Sequence, residues 1–407
     1  MNTPQNYPFT KKDIALMLAS FGIGFACLSF DPAFSPLILA VPVFWTLASS
    51  RYAAFAVVFA YKFAASRGLL PGAAVFLSEY HTFMEAAALY LLMPLGASLP
   101  FGVFWSKSGL RKTICLLLAF LAVYVLPPFS LIGIINPLMA SGTIFKGWGF
   151  VGIAVVLGIY TLCAVSRKTA FVFLCAIGIF AALPRDSWYE PPKPEGIVSI
   201  DTSFDRLGSG SFSFERDYER ANMVFSELEN RMGKGTAANA ANIVILPETI
   251  ARRLNDTGLE LWKLGLEKLF GRKTAIIFGA ELPAGDGRKY DNALLMLYDG
   301  KITASRQRIP VIYSMYHGPF AESGANLHLT DNGILEMPDG RKAAIIVCYE
   351  AFLTWPFFVS MFHKPDMIIC AANLWWCRET SLPETQRSVV SLWALTFGVP
   401  AVFVRNI

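Results

Sequence analysis

Charge is what this 407-residue chain has least of. Asp, Glu, Lys and Arg make up 16% of it, against 54% hydrophobic residues. A soluble globular domain carries nearer a quarter charged residues, which excludes a chain folded wholly in water. Histidine is scarcer still, with four in all. His81, His317, His328 and His363 lack metal-site spacing, so no metal or other cofactor is expected. There are seven cysteines, but Cys27, Cys115, Cys163 and Cys175 fall in apolar runs, which argues against a disulfide framework. No basic patch with interleaved aromatics occurs, so direct nucleic-acid binding is not expected. No internal repeat or low-complexity tract is present.

The few charges are unevenly spread. Residues 1–184 hold 11 Lys/Arg and 4 Asp/Glu, and the remainder holds 24 and 26, so the overall +5 belongs to the first part. A bilayer core takes about 20 apolar residues per helix. Apolar runs at 14–30, 86–105, 113–135, 147–165 and 169–183 meet or approach that length, and 37–49 and 52–65 are shorter. The reading is about seven transmembrane helices in residues 1–184, with 69–77 too short to count. With the N-terminus in the cytoplasm, eight Lys/Arg fall in inner segments; Lys62, Arg67 and Lys146 fall in outer ones. That asymmetry follows the positive-inside rule and places everything after Leu183 outside the cytoplasm.

Residues 185–196, "RDSWYEPPKPEG", read as a Pro-rich linker. From Ile197 the pattern changes. "GIVSID", "NIVILPE", "TAIIFGAE", "NALLMLYDG", "GRKAAIIVCYE", "PDMIICAANLWW" and "PAVFVRN" read as strands, with amphipathic helices among them. Such alternation predicts an α/β domain over 197–407.

Four strand-end pieces carry candidate chemistry. Glu248 closes "IVILPE", Arg306 and Arg308 follow "DGKITASRQRIPV", Glu322 lies in "GPFAE", and Cys348 ends "AAIIV" ahead of Tyr349 and Glu350. A cysteine is a good nucleophile only as thiolate, and at neutral pH only a few per cent of an unperturbed thiol is ionised. A carboxylate that takes its proton contributes on the order of 10²–10⁴ in rate. An oxyanion formed next needs preorganised donors, each worth about 10²–10³.

Together these pieces resemble the nitrilase (carbon–nitrogen hydrolase) superfamily, whose members use a Glu–Lys–Cys triad on an α-β-β-α sandwich. "LPET", "VCYEAFLTWP", "AANLWW" and "RSVVSLWALTFGVPAVFVRN" carry the resemblance across residues 195–407. It implies that Glu248 is the general base and Cys348 the nucleophile, with Arg308 in the lysine's place and Arg306 the next choice. Glu322, Tyr349 and Glu350 are implied as supporting residues. Membrane helices before such a domain resemble apolipoprotein N-acyltransferase and its relatives, and "SRQRIPV" with the overall layout resembles conjugal transfer proteins of that group. The implied protein is a multi-pass bacterial inner-membrane acyltransferase with a periplasmic catalytic domain. Its implied partners are a phospholipid acyl donor, a membrane-anchored acceptor such as a lipoprotein, and proteins of a conjugation apparatus.

Two departures from that pattern bear on function. Arginine replaces lysine, and the two are not interchangeable. The family fold also continues past the strand matched by "PAVFVRN", so the expectation is either a truncated sequence or a sandwich without its last strands. These departures keep open a scaffold that retains the fold without catalysis; a membrane-tethered amidase is open as well, because hydrolysis and transfer pass through the same thioester.

Overall fold

The computed structural model describes residues 9–29, 32–78, 83–183, 190–204, 214–232 and 242–407. His81 and positions 185–189 of the Pro-rich stretch lie outside the described residues. The chain divides into two compact units. The first comprises 1–191, 352–355 and 377–398, and the second comprises 192–351, 356–376 and 399–407. The first boundary falls within the stretch read as a linker, between Pro191 and Pro192. The second unit is not one continuous stretch, because two later segments return to the first.

In the first unit the described helices are α1 (Lys11–Ala26), α2 (Ala40–Leu47), α3 (Arg51–Ala65), α4 (Leu69–Leu77), α5 (Phe83–Val103), α6 (Gly109–Tyr124), α7 (Gly149–Val165) and α8 (Arg167–Ala181). Capping sets several ends. Thr10 and Asp13 form a reciprocal capping box on α1, Ser50 caps α3 and Ser166 caps α8, each satisfying N–H groups that a helix start leaves open. Asp13 also accepts from Ser49 N at 2.9 Å, which ties the start of α1 to the approach to α3.

Among the described residues, α5 alone is long and apolar enough to cross a bilayer by itself. α3 and α4, bent by 57° at their junction, pass the same test as a pair. The expected count of about seven full-length spans is therefore not matched. α1 and α6 have 16 residues each, or about 24 Å of helix, against a hydrocarbon core of about 30 Å. The run 113–135 is not a single helix, since α6 stops at Tyr124, shortly before Pro127 and Pro128. Proline lacks the N–H that would continue the ladder. Lys62, expected in an outer loop, lies inside α3 and is fully buried. Its Nζ donates to Ile134 O at 2.5 Å and lies 4.8 Å from the centre of the Tyr124 ring.

The second unit is a two-sheet α/β sandwich. Its elements in chain order are β1 (Ile197–Ser199), α9 (Phe214–Met232), β2 (Ile243–Ile245), α10 (Asp256–Phe270), β3 (Ala275–Ala284), β4 (Lys289–Tyr298), β5 (Lys301–Arg306), β6 (Gly324–Ala325), β7 (Ile334–Glu336), β8 (Lys342–Val347), α11 (Thr354–Phe362) and β9 (Met367–Asn373), closed by β10 (Ala401–Asn406). One sheet runs β1-β2-β3-β4-β5, with β6 beside β4, and the other runs β10-β9-β8-β7. Strands β8, β9 and β10 are parallel neighbours. Parallel pairing requires long crossovers, which α11 and the helix at Leu382–Phe397 supply. That helix, α12, is one of the segments belonging to the first unit.

Period-two alternation decides which side chains face where. Ile243, Ile245, Ile277 and Leu294 of the first sheet pack with Ile345, Val347, Ile369 and Val404 of the second. On the outer face of the first sheet, Val244, Ile276, Phe278 and Leu295 meet Val224 and Leu228 of α9 and Trp262 and Leu266 of α10. Burying each such side chain is worth roughly 1.5–3 kcal/mol relative to leaving it exposed. The edge of β10 is partly covered by the segment after β1: Thr202 N donates to Arg405 O at 3.0 Å and Ile407 N to Thr202 O at 2.9 Å.

Candidate active site

Strand β8 delivers Cys348 to a bend. Its φ is +45°, in the left-handed region, which costs a residue other than glycine about 1–3 kcal/mol. What holds the bend is Glu350, 1% exposed. Its carboxylate accepts from the backbone N–H groups of Val347 (3.0 Å), Ile309 (3.0 Å) and Arg308 (2.5 Å). Glu350 thus stitches the end of β8 to the segment that follows β5.

Arg308 belongs to this anchor and not to the thiol. Its guanidinium is fully buried. It donates to Ile345 O (2.7 Å), Pro356 O (2.9 Å) and Ser360 Oγ (2.7 Å), and it lies 3.4 Å from Glu350 Oε2. Both terminal nitrogens of the guanidinium are thus engaged away from the thiol, with carbonyls, a hydroxyl and Glu350. Arg306 points elsewhere again, pairing with Asp291 at 2.9 Å near the surface. Glu322 is exposed and paired with Arg288. Tyr349 is buried beside the bend.

The group that does meet the thiol is Glu248. It follows β2 in a turn packed so closely on β3 that a Cβ at Gly279 would stand 2.2 Å from Thr249 N. Glu248 is 4% exposed, and its carboxylate is hydrogen-bonded to the Cys348 thiol. Asn292 Nδ2 of β4 donates to Oε1 at 2.6 Å and the backbone N–H of Asn373, at the end of β9, to Oε2 at 2.9 Å. Burial pushes the carboxyl up to about 7, with the thiol, Asn292 and Asn373 opposing that rise. Burial first, and then the Glu248 carboxylate, push the thiol well above its ordinary range, while the Asn373 N–H acts to lower it. Carboxylate and thiol therefore compete for one proton.

Asn292 and Gln307 carry no signal in the motif reading, yet both are buried beside this pair. Asn292 Nδ2 also donates to Gln307 Oε1 at 2.9 Å, and Gln307 Nε2 to Val347 O at 3.0 Å. Gln307 follows directly on β5, and no local pattern marked it as a buried side chain. Asn373, within the "AANLWW" stretch, is held by Asn406 Nδ2 on its Oδ1 at 2.9 Å and donates to Thr249 Oγ1 at 2.7 Å. Among the described residues no group of three His, Cys, Asp or Glu is placed to hold a metal ion. Cys370 is a buried free thiol in β9, and Cys377 is also free.

Comparison with known proteins bears on this site. No family model matches the chain. It is 30% identical over 398 residues to the probable conjugal transfer protein TraB of Sinorhizobium fredii, covering 96% of this chain and 97% of that protein. The chain belongs to the TraB family of conjugal transfer proteins. A second member, the conjugal transfer protein TraB of Agrobacterium fabrum, is 28% identical over 411 residues, with 96% of this chain and 92% of that protein covered. Among solved structures, an amidase of the nitrilase superfamily from Nesterenkonia is similar at 12% identity and a TM-score of 0.36, over 53% of this chain and 78% of that one. A carbon–nitrogen hydrolase from Helicobacter pylori matches at 14% identity and a TM-score of 0.36, over 51% and 73%. Likeness at that level decides nothing about chemistry in this TraB family member, whose own side chains must carry the reading.

Proposed function

We propose that this chain is a membrane-associated acyltransferase of the nitrilase type that serves conjugal transfer, with Cys348 as nucleophile and Glu248 as general base. The single observation that supports it most is a cysteine held on a left-handed bend with its thiol on a buried carboxylate whose proton affinity lies near neutrality. A base is most effective when its pKa lies near the working pH.

In this reading Glu248 accepts the thiol proton as sulfur attacks an acyl carbonyl. The tetrahedral adduct collapses to a thioester on Cys348, and the leaving group departs with the proton held by Glu248. An amine acceptor then attacks the thioester and passes its proton back through the same carboxylate. Water in place of the amine gives amidase or hydrolase chemistry from the same intermediate. The proposed donor is phospholipid and the proposed acceptor is membrane-anchored, such as a lipoprotein. The proposed setting is the bacterial inner membrane, with several helices of the first unit crossing it, the N-terminus cytoplasmic and the second unit periplasmic. The charge-poor composition, α5 and the bent α3–α4 pair support a membrane location.

The test is DNA transfer by cells carrying Cys348→Ala, which should fall to the level of a deletion at unchanged protein abundance. A second reading, a scaffold that aids the conjugation apparatus without catalysis, is favoured by one observation: the arginine expected beside the thiol is committed to Glu350. Full transfer by the double variant Glu248→Gln, Cys348→Ala would select that scaffold.

A further inference from the structure

Flanked in the sequence by Arg306 and Arg308, one neutral amide reaches the backbone just before Cys348. Gln307 is 1% exposed and follows β5 in register, its N–H on Asn292 O at 2.7 Å. Its side chain reaches two ways. Nε2 holds Val347 O, the peptide oxygen just before Cys348, while Oε1 receives Asn292 Nδ2. The same Nδ2 donates to Glu248, so one hydrogen-bonded path runs from the β8 backbone through Gln307 and Asn292 to the carboxylate and on to the thiol. The flanking Arg306 and Arg308 are held on Asp291 and Glu350. Glu248, the Asn373 N–H and Cys370 all act on the thiol. Asn292 Oδ1 is buried with no hydrogen-bond partner.

We propose that Gln307 is a positioning residue: through Asn292 it aims the Glu248 carboxylate at the Cys348 thiol, and its neutral amide adds no charge of its own to that pair. The thiol then keeps its proton at rest, and ionisation is coupled to attack on a bound acyl group. This rests on the proposed partnership of Glu248 and Cys348. A charge placed at 307 should retune the thiol without touching it.

The experiment follows alkylation of Cys348 by iodoacetamide against pH, in the full-length protein in phospholipid nanodiscs. It is read by mass spectrometry on the tryptic peptide that carries this cysteine. Gln307→Lys should lower the pH midpoint by roughly one to three units, as a nearby opposite charge does. Gln307→Glu, which matches glutamine in shape and keeps both hydrogen bonds when protonated, should raise the midpoint; it decides the matter alone if the lysine variant does not fold. An unmoved midpoint in the folded variants overturns the role of Gln307, whatever Cys348→Ala does to DNA transfer. Shifted midpoints together with undiminished transfer in Cys348→Ala would uphold Gln307 and remove the catalytic reading instead.

Discussion

Glu350 and Glu248 are both buried near Cys348, and their surroundings differ. Glu350 receives three backbone N–H groups and lies beside a guanidinium. Glu248 receives one backbone N–H, one side-chain amide and a thiol. Hydrogen bonds and an opposite charge stabilise the ionised form of a carboxylate, and burial without them destabilises it. Equal burial thus yields an anchor in one case and a proton acceptor in the other, and the donor set decides which.

The largest effect should come from breaking the anchor. Arg308→Ala leaves Glu350 buried without its cation, a change that typically costs about 3–5 kcal/mol; chemical denaturation of the purified protein should register it. Next is the acceptor. Glu248→Gln should slow acylation of Cys348 by roughly 10²–10⁴ in single-turnover measurements, while the fold persists. In the wild type the acylation rate should rise with pH through about 7 as Glu248 ionises.

A third effect sharpens the contrast through stability. The carboxyl of Glu248 sits above its ordinary 4.5, near 7, so the native state holds the proton more tightly than the unfolded state. As pH rises from about 4.5 to about 7, the wild type should therefore lose stability relative to Glu248→Gln, by on the order of 3 kcal/mol in total. Melting curves of both proteins across that window measure it, and parallel curves would contradict the assignment. The smallest effects belong to the exposed pairs. Glu322→Ala and Arg306→Ala should each change stability by less than about 1 kcal/mol and leave Cys348 acylation unchanged.

Glu248 and Cys348 were legible because each ends a short apolar strand, where the chain must turn and a polar side chain marks the turn. Arg308 lies in the bend after β5, and a positive charge in a motif does not reveal that its side chain turns to Glu350. Gln307, between two arginines, is the side chain that faces the site. Glu322 kept its motif but lies on the surface with Arg288. Alternation of strands with helices announced an α/β domain, and the two-sheet sandwich was an expectation of the family resemblance. In the helical unit hydropathy sums run straight through Pro127 and Pro128, where α6 has already ended, and Lys62 is buried by tertiary packing that composition does not show. The return of 352–355 and 377–398 to the first unit is a long-range property. Thr396 of α12 accepts from Gly142 N at 3.1 Å, a contact no local pattern announces.

The account turns on whether the sulfur of Cys348 takes up an acyl group. Full-length protein incubated with phospholipid vesicles, digested and weighed at the Cys348 peptide, should show the mass of a fatty acyl thioester that hydroxylamine removes. An unmodified peptide from folded wild-type protein, across acyl chain lengths and at pH above 7, would contradict it.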